Sequence, residues 1–347
     1  AWLLSLLIPA TVLVGPGLMW FTGEAWTLWL PVGFFYATVP LLDYVLGEDK
    51  SNPPESAVAA LDADPYYRWI TYLLAPVLWL SFIFGAWFAV RMDLPLHGLL
   101  ALVLTSGSVG GFCINLGHEL GHKNTALERA LAKIVLAPSG YGHFFVEHNR
   151  GHHRDASTPL DPASSRMGES IYRFVLREMP GAWFRAWELE RTRLKLAGLP
   201  LLSWHNHIVQ PALLTLALWS ALVLYASLGF RQFSFHFTEI RDALANDDDA
   251  TARSLLAQWQ HIDTQSGSRS DIIGRVIEFS VLAAHRHVFG VLAWFSILAA
   301  LGLGPMGAVL YRLAEFVSRY WQHKSNTLEQ PVSQALQTNA KAAWHWI

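Results

Sequence analysis

Apolar residues in this chain come in long blocks. Residues 1–21 and 26–46 are nearly continuous runs of aliphatic and aromatic side chains. Each is close to the ~20 residues that carry a helix across a bilayer. Four residues separate them, Thr22-Gly23-Glu24-Ala25, enough for a helical hairpin. A second pair, 69–90 and 94–116, flanks Arg91-Met92-Asp93, and a fifth run covers 208–229. Residues 276–303 are apolar again, although they carry Glu278, His285, Arg286 and His287, and 305–317 is a further apolar piece. The pattern predicts an all-α fold: a polytopic transmembrane helical bundle of about six spanning helices.

The polar stretches fix the rest of the outline. Residues 47–68 are an acidic, proline-containing loop, and 117–207 form a long histidine-rich region. Segment 230–274 changes character, with Asp247-Asp248-Asp249 followed by an amphipathic pattern through Leu255, Leu256 and Trp259, a soluble helical stretch. Residues 318–347 read as a polar tail. Asp43 near the end of the second run must face the bundle or the interface, because an acid in lipid is costly. No basic leader or clear cleavage site accompanies the first run, so it is expected to span and not to be a signal peptide. The fourth run carries Thr105, Ser106, Gly107, Ser108, Gly110 and Gly111. Small residues there let helices approach closely, which is the expected role, and would equally leave room for a narrow guest.

Composition agrees with a bilayer: 52% of the 347 residues are hydrophobic, only 15% are charged, and mean hydropathy is +0.27. A net charge of −2 gives no electrostatic case for nucleic acid. The lone cysteine, Cys113, excludes an internal disulfide, a CxxC pair and a thiolate iron–sulfur site, so electrons for any redox chemistry come from outside. Region 117–207 holds twelve Lys and Arg, which puts it and the N-terminus on the cytoplasmic side. Residues 302–307 formally match GxGxxG, but no strand precedes them and Pro305 interrupts, so they are read as a helix break.

Six of the fifteen histidines fall between residues 118 and 153. His118 and His122 are four apart and share a helix face. His148 and His152 repeat the spacing, with His153 beside the second. His118-Glu119-Leu120-Gly121-His122 fits the HExxH pattern of zinc hydrolases, and an intramembrane zinc protease is the competing reading. A catalytic zinc needs only three protein ligands. Five imidazoles exceed that need and suit a two-metal, oxygen-activating iron site. His143 is open to a ligand role or a supporting one, and Glu119, Glu147 and Asp161 are candidates to orient imidazole N–H groups. Arg150 is read as balancing local charge. His205, His207, His236, His261, His323 and His345 are isolated and read as structural.

At these residues the sequence resembles the AlkB-type integral-membrane non-haem di-iron alkane hydroxylases, over about 1–229. The resemblance rests on Gly47-Glu48-Asp49 and Asn52-Pro53-Pro54-Glu55, HELGHK at 118–123, GHFFVEHNRGHH at 142–153, TPLDPAS at 158–164 and Ala186-Trp187-Glu188-Leu189-Glu190. It implies two iron ions, O2 as co-substrate, and terminal hydroxylation of medium-chain linear alkanes in a bacterial inner membrane. It also implies rubredoxin and rubredoxin reductase as electron donors. An elongated apolar cavity past Gly107, Gly110 and Gly111 towards His118 is then expected. The family's Asn-Tyr-x-x-His-Tyr stretch and its third cluster, His-x-x-His-His, do not occur in this sequence. Residues 230–347 resemble AmpE/CobD-like membrane proteins, at 275–295 and 303–321, so the chain reads as a join near Gly229. A non-catalytic protein of that sort is the further alternative. His285 and His287 are two apart, about 200° around a helix, and are not expected to replace the third cluster.

Overall fold

The computed structural model of the protein describes residues 2–47, 53–260 and 268–327, and every regular element among them is a helix. Glu48, Asp49 and Asn52 of the quoted loop lie outside the described residues, as do His261, His345 and the side chain of His323. Among the described residues, six helices are long and apolar enough to cross a membrane: Leu3–Thr22, Ala25–Leu46, Pro65–Arg91, Leu96–Gly121, Val209–Ser227 and Arg269–Ala300. Large apolar side chains stay exposed along them, Trp20, Leu80, Val103 and Leu216 among them. In water that surface would drive association; hydrocarbon accommodates it, and the chain is a multi-pass membrane protein.

Helix ends differ from the apolar blocks for local reasons. The third spanning helix starts at Pro65, four residues before the apolar run, because Asp64 accepts the Tyr66 N–H at 2.9 Å and Pro65 occupies a first-turn position. The sixth starts at Arg269, where Ser268 and Asp271 form a reciprocal capping box. Most consequentially, the fourth does not stop with its apolar residues at Leu116 but runs on to Gly121. His118 and Glu119 therefore ride on the end of a membrane-spanning helix.

The first hairpin is tight. Gly23, at φ 76°, closes the first helix by donating its N–H to the Met19 carbonyl at 2.8 Å. Around it, Val12, Leu28, Leu78, Phe88, Val109 and Leu120 belong to one buried core. That core continues beyond the spanning helices. After His122 the chain turns back through Thr125, which caps helix Ala126–Leu136 by accepting the Glu128 N–H, while Tyr72 donates to Glu128 from the third helix. Leu136 of this return helix lies against Gly117, where an added Cβ would come within 2.6 Å of the leucine's Cγ. Gly117→Val is expected to destabilise the chain by roughly 1–3 kcal/mol through overpacking. Thermal unfolding in detergent checks this, with unchanged melting counting against the close approach.

The chain divides into two compact units, 1–218 and 219–347. The second has small cores of its own. Helices Phe230–Ala245 and Asp249–Gln260 bury Ile240, Ala252 and Leu256 with Ile272 and Val276, and further along Val291 and Ala308 meet Tyr311. The expected apolar piece 305–317 forms, from Met306 on, the first part of a longer helix, Met306–Thr327.

Candidate metal centre

The end of the fourth spanning helix delivers His118 and His122, and the segment after the Gly140–Gly142 turn delivers the second histidine group. The Nε2 atoms of His118 and His122 lie 3.1 Å apart, those of His122 and His148 3.1 Å, and those of His148 and His153 3.0 Å. Metal–imidazole bonds of about 2.0–2.1 Å put ligand nitrogens on one ion roughly 3–3.5 Å apart. The nitrogens of His118, His122 and His148 all lie within 4.8 Å of one another, and His153 joins them through His148. Metal binding also needs neutral imidazoles. Burial, then the crowd of neighbouring histidines, pushes His148 down to about 3, and burial followed by His118 lowers His122. The arrangement fits a transition-metal ion.

The second group does not fold as simple four-residue spacing implies. Helix Phe144–Glu147 passes into a π turn, His148–His152, in which the His153 N–H reaches back to the His148 carbonyl. The wider turn brings His153, five residues on, over His148. His152, four residues on, is diverted: its Nδ1 lies 2.9 Å from Asp161 Oδ2. Such single π turns often occur at functional sites.

Carboxylates organise the outer layer. Glu119 Oε1 sits 3.1 Å from Nδ1 of His118, on the far side of the ring from the clustered nitrogens. It is thereby turned away from where a zinc hydrolase needs its base, and the HExxH protease reading loses its support. Asp161 is buried and is held by Ser164 Oγ at 2.5 Å and the Ala163 N–H at 3.1 Å. Burial raises its proton affinity, but the hydrogen bonds from Ser164, His152 and Ala163 outweigh it and leave its carboxyl below the ordinary range. Asp161→Asn should weaken metal binding about 10–100-fold, the usual cost of losing an imidazole-orienting carboxylate. Equilibrium dialysis against cobalt(II) measures it, and unaltered affinity would detach Asp161 from the centre.

Arg185 binds this layer together, donating to the Leu160 carbonyl at 2.8 Å and facing Asp161, Glu147 and Asp155 at 3.4, 3.5 and 3.6 Å. It crosses directly over Gly151, where a Cβ would meet its Nε at 2.6 Å. Burial pushes Glu147 up to about 6 against the pull of Arg185. His143 is buried between Tyr141 and Trp183, with neither ring nitrogen hydrogen bonded, and burial takes it down to about 4. Its ring is not among those clustered around His148.

Other expectations fall differently. Gly107 and Gly111 face open space, and Gly110 meets only the Phe82 ring at 3.8 Å, so none brings helices together. Close approaches occur instead at other glycines, among them Gly15, whose Cβ would lie 2.9 Å from Leu28 Cα, and Gly117. Nor do these glycines line the cavity. A cavity of about 1070 Å³ lies on another side of the fourth helix, bounded by Ile8, Leu74, Leu78, Phe112, Leu116 and Glu119. His285 is exposed and His287 buried, where Arg312 donates to the His287 Nδ1 at 3.0 Å. His287 thus makes an interhelical polar contact. His207 packs on Phe145 and lies 3.5 Å from Lys133, and His236 packs on Trp259.

Sequence reasoning overlooked Glu190 and Arg185. Glu190 is fully buried and accepts from Arg193 at 2.6 and 2.9 Å, from the His207 N–H at 2.7 Å, and from Arg150 at 3.3 Å. It ties helix Ile171–Leu196 to the histidine-bearing segment. An acid inside the apolar spacing of Ala182, Ala186 and Leu194 was the available signal.

Residues 93–238 match the family model described as fatty acid desaturase. The chain is 50% identical over 226 residues to alkane 1-monooxygenase 1 of Alcanivorax borkumensis, which covers 65% of this chain and 55% of that protein. It is 47% identical over 227 residues to alkane 1-monooxygenase of Pseudomonas putida, 65% and 56% of the two chains. The hydroxylase component of a xylene/toluene monooxygenase from Pseudomonas putida is 27% identical over 217 residues, 61% and 56%. The chain spans little more than half the length of these relatives.

Proposed function

We propose, from the premise that about two thirds of this chain belongs with the AlkB-type alkane 1-monooxygenases, that it is a membrane-bound non-haem iron hydroxylase acting on the terminal methyl of linear alkanes. The observation that carries the reading is the set of four imidazoles whose Nε2 atoms converge at the end of a spanning helix. His118, His122, His148 and His153 would hold iron, which supplies the oxygen activation that breaks an unactivated C–H bond. The residues around it do the orienting. Glu119 fixes His118 and Asp161 fixes His152, setting ring direction and tautomer.

The cavity beside Leu116 and Glu119 is the proposed alkane site, and the apolar side chains along it exclude water from the reacting carbon. Ile8, Leu74, Leu78 and Phe112 of the spanning helices line one part of it and Arg68, Lys123 and Glu128 another, so a hydrocarbon dissolved in the bilayer would enter through the apolar part. Rubredoxin and its reductase are the proposed electron donors, in keeping with the single buried cysteine. The histidine region is assigned to the cytoplasmic face of a bacterial inner membrane. Residues 230–347 are proposed to be a separate AmpE/CobD-like membrane segment, consistent with the desaturase match ending at 238.

Two irons are the proposed complement. Four imidazoles complete the set for one ion, and His152 is the fifth imidazole, offered to a second. That set is thin, so the second iron is expected to be weakly held and turnover low. The test is iron content per chain after reconstitution, with octanol formation from octane in the presence of rubredoxin, its reductase and NADH. No octanol and no bound iron would defeat the reading. Two tightly held irons with rapid turnover would show that the remaining ligands lie after residue 230.

A further inference from the structure

Behind the histidine cluster, rings touch in an unbroken series. Phe144 stacks on His148 with centroids 4.8 Å apart, and Tyr141 lies 5.7 Å from Phe144. His143 is 4.5 Å from Tyr141 and 5.0 Å from Trp183, and Trp187 follows Trp183 at 6.0 Å. Trp183 is 39% exposed, so the series begins at a ring of the cluster and reaches the surface. The phenol of Tyr141 donates to Glu178 Oε1 at 3.2 Å. Apart from His148, no residue of the series has a part in the hydroxylation described above.

We propose that Tyr141 and Trp183 form a hole-transfer relay that carries a stray oxidising equivalent away from the histidine cluster to the protein surface. The proposal rests on the cluster holding an oxidising metal, as argued above. Tyr141 loses one electron to the oxidant at the centre, which is reduced by one electron. Its O–H bond breaks as the proton passes to the Glu178 carboxylate. The neutral tyrosyl then takes an electron from the Trp183 indole and recovers its proton from Glu178. Oxidised Trp183 releases its indole N–H proton to solvent, and a soluble thiol, itself oxidised by one electron, returns it to indole.

Three features suit the residues to this task. Tyrosine is readily oxidised only where its proton has an acceptor, and Glu178 is in hydrogen-bonding position. Burial raises the proton affinity of Glu178, which favours its accepting that proton. The ring between the two redox-active side chains, His143, is kept neutral by burial, so no imidazolium charge in the gap opposes a hole. Phe144 and His143 shorten the path by packing.

The experiment uses the full chain in nanodiscs without metal, so that it is independent of hydroxylation. Photogenerated ruthenium(III) tris-bipyridine, with methyl viologen as electron acceptor, oxidises exposed Trp183, and because the path conducts in both directions the hole should equilibrate between Trp183 and Tyr141. Freeze-quench EPR is expected to show a tyrosyl signal that narrows with ring-deuterated tyrosine. Tyr141→Phe should lose most of that signal, Trp183→Phe should slow its appearance, and Glu178→Gln should leave a tryptophan radical in its place. Cobalt(II) absorption reports whether each variant keeps its folded histidine cluster. Equal tyrosyl yield in folded wild type and Tyr141→Phe overturns the relay; should Tyr141→Phe not fold, an unchanged tyrosyl yield in Glu178→Gln does so. A chain that hydroxylates octane but forms no Tyr141 radical sinks the relay alone, whereas the radical in a chain that binds no iron keeps the electron path but overturns the hydroxylase reading and the relay's oxidant with it.

Discussion

His148→Ala is expected to abolish tight metal binding. His148 Nε2 is the shared neighbour of His122 at 3.1 Å and His153 at 3.0 Å, so its removal separates the two histidine groups. Losing an outer partner of a metal ligand already costs about 10–100-fold in affinity, and loss of the ligand itself should exceed 100-fold, roughly. Ferrous iron or cobalt(II) titration with metal analysis of the dialysed protein reads this directly. His236→Ala serves as the control, since His236 packs on Phe235 and Trp259 near Glu239 at 3.9 Å, in the other compact unit. Equal stoichiometry and affinity in His148→Ala and wild type would remove His148 from the centre.

The second large effect belongs to Glu190→Ala. This side chain has no exposure, and its carboxylate answers two guanidinium groups and the His207 N–H. Removing one partner of a buried charged network leaves the others unpaired, at a cost of roughly 3–5 kcal/mol. Denaturant titration in mixed micelles measures it, and a loss below about 1 kcal/mol would place the pair in the range of exposed ion pairs. Acid should produce part of the same effect. Burial favours the neutral acid, but Arg193 and the His207 N–H outweigh it and hold the folded carboxyl below its ordinary value. Stability from Glu190 is therefore present above the unfolded glutamate range, about pH 4.3, and fades as pH falls through the lower folded value.

The spanning helices were legible because a bilayer demands a property of composition, about twenty apolar residues in a row, that needs no knowledge of neighbours. The reach of His118 towards His148 was partly legible too, since i, i+4 spacing fixes a shared face on any helix. What escaped was information held between distant segments. The partners of Glu190 come from positions 150, 193 and 207, and only the folded chain brings them together. Gly107, Gly110 and Gly111 misled for a similar reason, while Ser106 of the same stretch does meet Gly85 of the third helix. Glycine permits close packing but does not supply the partner, and close partners fell to other glycines such as Gly15 and Gly117. Helix phase was likewise invisible: nothing in HNRGHH states that its turn is closed by a five-residue hydrogen bond.

That π turn makes the histidine motif behave like a mechanical vernier. Adding or removing a single residue in an α-helix rotates everything beyond it by about 100°. Here the widened turn absorbs the offset in place, so two adjacent histidines serve two different masters, His153 the ring of His148 and His152 the carboxylate of Asp161. Tightening the turn to ordinary α geometry would swap their assignments without changing one ligand in the sequence. Two chains carrying the same histidine words can therefore differ in which nitrogen meets the metal, and motif identity alone does not transfer coordination from one relative to another.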